Sequence, residues 1–393
     1  ASAQAQVDGS SKAVKDAAAY LTGQAAKAEK NPQIKLRLMH EVALCYRSLA
    51  EAEFEMAREK LQREMLAKRQ TALAADLPKG RPLPALRTPE VAPSAVPAQP
   101  DEAVAKEKYQ AVIAAGADTP FAIEARVELA EMLTKRGDLD GAVKLLSDAV
   151  KEDGPAEQID KIRMRLAEIA LAKGDTATAR TQYDQIAANQ KSPYFHHAKV
   201  GLGECLAVEK KWPQVVETML VYRTTPELKR LPEVSDRAML RLGQAYGQLG
   251  QWEPSRLAID AFNRYHPNSP LMPEAKFTMS LALQHLHQLD PALSGYRDLL
   301  SKAKGELAAK AQLQMGLTLM EMKRFDEALD ALLVVPLSYD YPELSASALC
   351  QAGRALMELK KMDDAKTILN RVVKDHPTGT WGDLAKKMLA EIK

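Results

Sequence analysis

Small residues recur along the chain at an almost constant interval. Ala105, Ala142, Ala179, Val215, Ser255, Ala292, Ala328 and Ala365 are separated by 37, 37, 36, 40, 37, 36 and 37 residues. Twelve residues before each of the last seven stands a second small residue: Ala130, Ala167, Gly203, Gly243, Ser280, Gly316 and Gly353. Two helices cross closely only where neither carries bulk, so small residues paired at a fixed offset mark the crossing of an antiparallel helical hairpin. A hairpin this short cannot bury its own apolar face, and the repetition restricts the chain to a stack of like units.

Residues around each crossing agree. Leu139, Trp212, Trp252, Leu289, Phe325 and Met362 lie three before the second small residue, and Tyr183, Tyr296 and Leu369 lie four after it. At helical period these positions predict a core shared by neighbouring hairpins. Pro155, Pro193, Pro226, Pro267, Pro342 and Pro377 fall where successive pairs should end. Aromatic residues make up only 5% of the chain, which favours closely packed helices over a sheet sandwich. A formal net charge of +2 gives no nucleic-acid footprint. No apolar run approaches the roughly 18 residues of a membrane helix.

This pattern resembles the tetratricopeptide repeat, whose eighth and twentieth positions hold the small residues. The resemblance covers about 105–393 and implies an all-α, right-handed helical-hairpin solenoid, expected here over 101–380. A last amphipathic helix at 381–393 would cap it. The joins "RYHPNSPLMPEAKF" and "KDHPTGTWGDLAKKML" look like those of bacterial envelope repeat proteins, among them outer-membrane assembly lipoproteins and the coordinator of the Tol–Pal system. The opening "ASAQAQVDGSS" has the small, polar character of the first residues of a mature secreted chain. A periplasmic or secreted location is therefore the expectation, with a cytoplasmic one as the alternative.

The first repeat is interrupted. "RLMHEVALCYRSLAEAEF" reads as a first helix carrying Ala43, but its partner small residue is Ala105, so 50 extra residues intervene. From Ala50 to about Ala75 there is no proline or glycine, and the helix is expected to continue as an arm over 31–76, after a separate N-terminal segment at 1–30. The stretch 77–100 then holds seven prolines and should return beside the arm or run loose. Phe54, Ala57, Leu61 and Met65 form a narrow apolar seam along the arm. Either the returning strand or the preceding helix covers it, or Phe54, Leu61 and Met65 dock a partner.

Chemistry-bearing motifs are missing. No phosphate-binding glycine loop or GxSxG elbow occurs. "HEVAL" at His40 begins like a zinc-protease motif, but Leu44 stands where the second imidazole must be. His196 and His197 diverge by about 100° on a helix, which suits packing better than ligation. Cys45, Cys205 and Cys350 are far apart and read as small buried residues. No catalytic, metal-binding or cofactor-binding residue is assigned, and no cofactor is expected.

The resemblance also implies that first helices line an inner wall, with contacts at repeat positions 2, 5, 9, 12 and 13. Downstream these are Phe277, Leu281, Gln284, Leu313, Leu317, Met320, Cys350, Arg354 and Met357, an apolar, methionine-containing groove. Upstream they include Glu124, Glu131, Met164, Glu168, Val200 and Glu204, which lean acidic. Chaperone-binding members of the family hold a C-terminal carboxylate with a lysine/asparagine clamp. None of Asn31, Asn189, Asn263, Asn268 and Asn370 falls at a wall position, although Lys161 and Lys310 do. The expected partner is a protein or peptide, as an extended segment or amphipathic helix, bound by a non-catalytic scaffold. An adaptor of the same fold in the cytoplasm, or a subunit of a membrane-associated complex, are the other readings.

Overall fold

The computed structural model describes residues 2–76, 89–117, 119–150 and 155–392. Among them it holds eighteen α-helices and no strand. They fall into two compact units, residues 1–61 with 91–210 and residues 62–90 with 211–393.

In the first unit α1 (Ser2–Lys27) precedes α2 (Pro32–Asp76), whose residues beyond Leu61 are counted in the second unit. Then follow α3 (Pro100–Ala115), α4 (Pro120–Lys135), α5 (Leu139–Val150), α6 (Ala156–Ala172), α7 (Thr176–Ala187) and α8 (Phe195–Val208). The interrupted hairpin is real. Leu36 and Ala43 of α2 share one core with Ala105, Tyr109 and Val112 of α3 and with Ala125 and Leu129 of α4. The expected continuation of the first helix to residue 76 is also observed. Of the proline-rich stretch, 77–88 lies outside the described residues.

The second unit holds α9 (Trp212–Thr224), α10 (Ser235–Gln248), α11 (Trp252–Tyr265), α12 (Met272–His285), α13 (Leu289–Leu300), α14 (Gly305–Glu321), α15 (Phe325–Ser338), α16 (Pro342–Glu358), α17 (Met362–Asp375) and α18 (Thr380–Glu391). One apolar cluster runs from Ala292 through Leu332, Leu356 and Leu369 to Met388, so α18 packs onto the core of the α16–α17 hairpin. Within each unit successive first helices lie close to one another (α4 to α6, α6 to α8, α10 to α12, α12 to α14, α14 to α16), while successive second helices stand further apart. First helices therefore form the inner wall of each unit.

The small residues do the work their spacing implies. A Cβ placed on Gly316 would come within 2.6 Å of Leu332, and one on Gly353 within 2.7 Å of Leu369. Each contacting side chain is four beyond the second small residue of its hairpin. In α10–α11 the two small residues touch directly, since the Ser255 hydroxyl donates to the Gly243 carbonyl at 2.7 Å.

The hairpin turns share one conformation. Gly137, Gly174, Lys210, Gly250, His287, Lys323 and Lys360 all have φ between +57° and +84°, and each lies five before the second small residue. After Gly137, Gly174, Gly250, His287, Lys323 and Lys360 the next N–H bonds back over the helix end, as from Asp138 to the Leu133 carbonyl and from Arg324 to the Leu319 carbonyl. This left-handed cap satisfies carbonyls that the helix end would otherwise leave open. Connections between hairpins have their own device. The Ser192 hydroxyl donates to Asp160 at 2.7 Å and the Ser269 hydroxyl to Asp236 at 2.6 Å, each also accepting a backbone N–H two residues on.

Candidate protein-interaction surface

On the inner wall of the second unit, neighbouring repeats show what each wall position does. Position 5 turns inward: Leu313 is 7% exposed and Cys350 1%, while Phe277 is half-buried with its ring 6.0 Å from that of Tyr296. Position 9 faces out, with Leu281 and Leu317 half-buried and Arg354 exposed. At position 12 Met320 and Met357 are half-buried, but Gln284 is 5% exposed. The Gln284 side chain is spent internally. It accepts from the Tyr296 hydroxyl at 3.1 Å and donates to Glu321 at 2.7 Å, tying α12, α13 and α14 together.

The predicted groove is therefore corrected at Leu313, Gln284 and Cys350. Close approach of adjacent first helices covers these side chains, leaving them nothing to offer a ligand. Phe277, Leu317, Met320 and Met357 pack their inner edges on the core and present only part of their surface. The open part of the wall lies toward the cap, where Arg354, Met357, Glu358, Leu384, Lys387, Met388 and Glu391 line a cavity of about 230 Å³. Residues of α18 complete this cavity. Its lysine and methionine lie in the helix whose sequence predicts only a cap, and no repeat position flags them.

In the first unit the acidic lean of the wall is neutralised. Arg47 pairs with Glu51 at 3.1 Å and Glu131 at 3.0 Å, and also with Glu128. Arg165 pairs with Glu131 and, at 2.8 Å, with Glu168. Met164, Val200 and Glu204 are buried and only Glu124 is exposed. Arg165 holds position 6, outside the expected contact set, and Arg47 holds position 12 of the interrupted first repeat, four after Ala43, a repeat not included in the wall positions above. The i,i+4 spacing of Arg47 to Glu51 and the i,i+3 spacing of Arg165 to Glu168 are the signals that reveal them. A second cavity of about 360 Å³ lies between α4 and α6, lined by Thr134, Lys135, Ile169 and Ala172 with Glu131, Arg165 and Glu168.

The arm seam is likewise corrected at its first residue. Phe54 is 3% exposed, with the Lys135 ammonium 4.4 Å and the Arg136 guanidinium 4.7 Å from its ring centre. Two cations at the end of α4 cover the ring, so it cannot dock a partner. Leu61 and Met65 are half-buried. Further along, Arg69 donates to the Ser338 carbonyl at 2.6 Å and approaches Asp340 at 3.4 Å, which ties this part of α2 to the end of α15.

Among the described residues no group of three or more His, Cys, Asp or Glu side chains is placed to hold a metal ion, and no helix is long and apolar enough to cross a membrane. Burial pushes the thiols of Cys205 and Cys350 up to about 11, away from reactive thiolate character.

Comparison with known proteins gives the same picture. Residues 90–212 match a tetratricopeptide repeat-like domain, and residues 237–269 and 347–379 match the tetratricopeptide repeat. Tetratricopeptide repeat protein 21B of Mus musculus is 28% identical over 171 residues, covering 43% of this chain and 12% of that protein. The Homo sapiens protein of the same name is 24% identical over 212 residues, covering 54% of this chain and 15% of its own length. The chain thus spans less than a sixth of either relative. Similar solved structures include the apo quorum sensor NprR from B. thuringiensis, with a TM-score of 0.53 and 12% identity over 68% of this chain and 80% of that one. The Cut9–Hcn1 heterotetramer of the APC/C has a TM-score of 0.50 and 14% identity over 91% of this chain and 76% of that one. At such identities the likeness is one of fold.

Proposed function

From a chain that carries tetratricopeptide repeats in an all-helical hairpin solenoid, we propose a non-catalytic scaffold that binds a segment of another protein on its inner wall. The cavity between α16 and α18 carries this reading. Its lining combines the half-buried Met357 and Leu384 with the charged Arg354, Glu358, Lys387 and Glu391. Apolar and charged groups side by side suit an amphipathic helix or extended segment. Arg354 and Met357 are the wall residues that bind. Leu281 and Leu317 extend the contact upstream, and Met320 and Phe277 contribute their outer edges. Leu61 and Met65 on the arm form a second, smaller contact.

The proline joins favour a bacterial envelope protein of the outer-membrane assembly or Tol–Pal coordinator type. A cytoplasmic adaptor remains the alternative, and fractionation of the native source separates them. The function itself is tested by crosslinking and mass spectrometry in the native source, comparing the natural chain with Arg354→Glu/Met357→Asp. A partner whose crosslinks map to α16–α18 and vanish in the double variant is expected. Crosslinks unchanged by a well-folded double variant would defeat the proposal.

A further inference from the structure

The segment joining the arm to α3 is held like a ligand. From Val91 to Gln99 the chain has no helix except a single 3-10 turn at Pro93–Ala95. Val91 and Val96 are 5% and 3% exposed, whereas Ala92, Pro93, Ser94 and Ala95 between them are exposed. Two small apolar anchors five residues apart are thus sunk into the protein with an exposed loop between them. Arg136, at the C-terminal cap of α4, grips the main chain. Its guanidinium donates to the carbonyls of Val96 at 2.7 Å, Pro93 at 3.2 Å and Pro97 at 3.3 Å.

Arg136 is prepared for this task by its neighbours. Glu102 pairs with the guanidinium from one side, with 9% of its side chain exposed, and the Phe54 ring lies beneath it. The fork therefore stays oriented whether or not carbonyls are present. A planar guanidinium with several N–H groups suits a turn of carbonyls as a point-charge ammonium does not. Carbonyl recognition is blind to side chains, so the sequence requirement falls on the two buried valines. None of this is needed by the repeat, whose other hairpins join their helices through a turn only.

We infer that Arg136, held in place by Glu102 and by the Phe54 ring beneath it, forms a peptide-binding site, separate from the wall around Arg354, that residues 91–97 occupy in cis. The ligand class it takes is an extended, proline-containing segment with two valine-sized anchors five residues apart. While the strap is seated, its tether gives it an effective concentration near the millimolar range, which excludes a weaker segment in trans. A partner segment enters when the strap leaves.

The test uses a fluorescein-labelled peptide of residues 91–100, VAPSAVPAQP, and polarisation against the full chain. One variant releases the strap by Val91→Asp and Val96→Asp, and a second replaces 91–97 by Gly/Ser of equal length, with cooperative thermal melts as the folding control. Binding to both released variants, absent from the natural chain, is expected. Adding Arg136→Ala, or Arg136→Lys to keep charge without the fork, should weaken it at least about tenfold. No binding by a folded released variant, binding to the natural chain as tight as to the released ones, or indifference to Arg136 would each overturn the inference. Neither variant touches Arg354 or Met357, so this site and the wall fail separately.

Discussion

Lysine at φ +59° in Lys323 and +63° in Lys360 holds a conformation that three equivalent turns assign to Gly137, Gly174 and Gly250. A Cβ in the left-handed region costs about 1–2 kcal/mol, and glycine regains part of this against its larger unfolded entropy. Lys323→Gly and Lys360→Gly should therefore each stabilise the protein by roughly 0.5–1 kcal/mol in urea titrations. Gly353→Val has the opposite sign. Its Cβ would meet the buried Leu369 side chain, and overpacking of this kind costs about 1–3 kcal/mol. The thiols supply a pH test. Cys350, 1% exposed, is pushed up to about 11 by burial, so the folded state keeps its proton where the unfolded thiol, nearer 9, loses it. Its contribution to stability is constant below about pH 8.5 and falls as pH rises toward 11. Half-buried Cys45 should react with a thiol reagent at pH 8 well before Cys205 and Cys350, which should react only on unfolding. Equal rates for all three in the folded protein would contradict the burial described.

Among the elements, the serine–aspartate staples explain why a serine precedes proline in "NSPLMPEA" and "KSPYFHHA". Ser269 ends one connection and binds Asp236 at the start of the preceding first helix, fixing the angle at which the next hairpin stacks. Asp236 is 6% exposed, so Asp236→Ala leaves the serine hydroxyl without its acceptor in a closed site. The expected loss is about 1–3 kcal/mol, measured as a lowered urea midpoint with an unchanged m-value. Asp160→Ala should behave alike through Ser192, because the geometry recurs. Arg69 and the Ser338 carbonyl do a similar service for the far end of α2, meeting a helix C-terminus where cations are favoured.

Across the whole molecule, cohesion comes from contacts between neighbours, as expected of a repeat array. Disruption should stay near its origin. In hydrogen–deuterium exchange, Gly353→Val is expected to deprotect α16, α17 and α18 while α4 and α6 exchange as in the natural chain. Uniform deprotection of all repeats would mean that the chain melts as one block. The inner wall follows from the same economy, since first helices nest against first helices and leave their outer-pointing positions for a partner. Arg354 is exposed and Met357 half-buried, and both line the cavity that α16 shares with α18.

The repeat period, the crossing residues and the split first repeat could be read from the sequence, because each depends on short-range spacing that the copies repeat. Gly316 against Leu332 is a local consequence of period and size. Wall chemistry was legible only in part. Whether Leu313 is covered and Arg354 open depends on how the next helix lies across it, a contact between residues far apart in sequence. Pairing of Arg47 and Arg165 with the wall glutamates, and the hold of Arg136 on the strap, also join distant segments. Periodicity names the face of a helix, but burial and charge pairing belong to whatever packs against that face, and tertiary structure alone decides what that is.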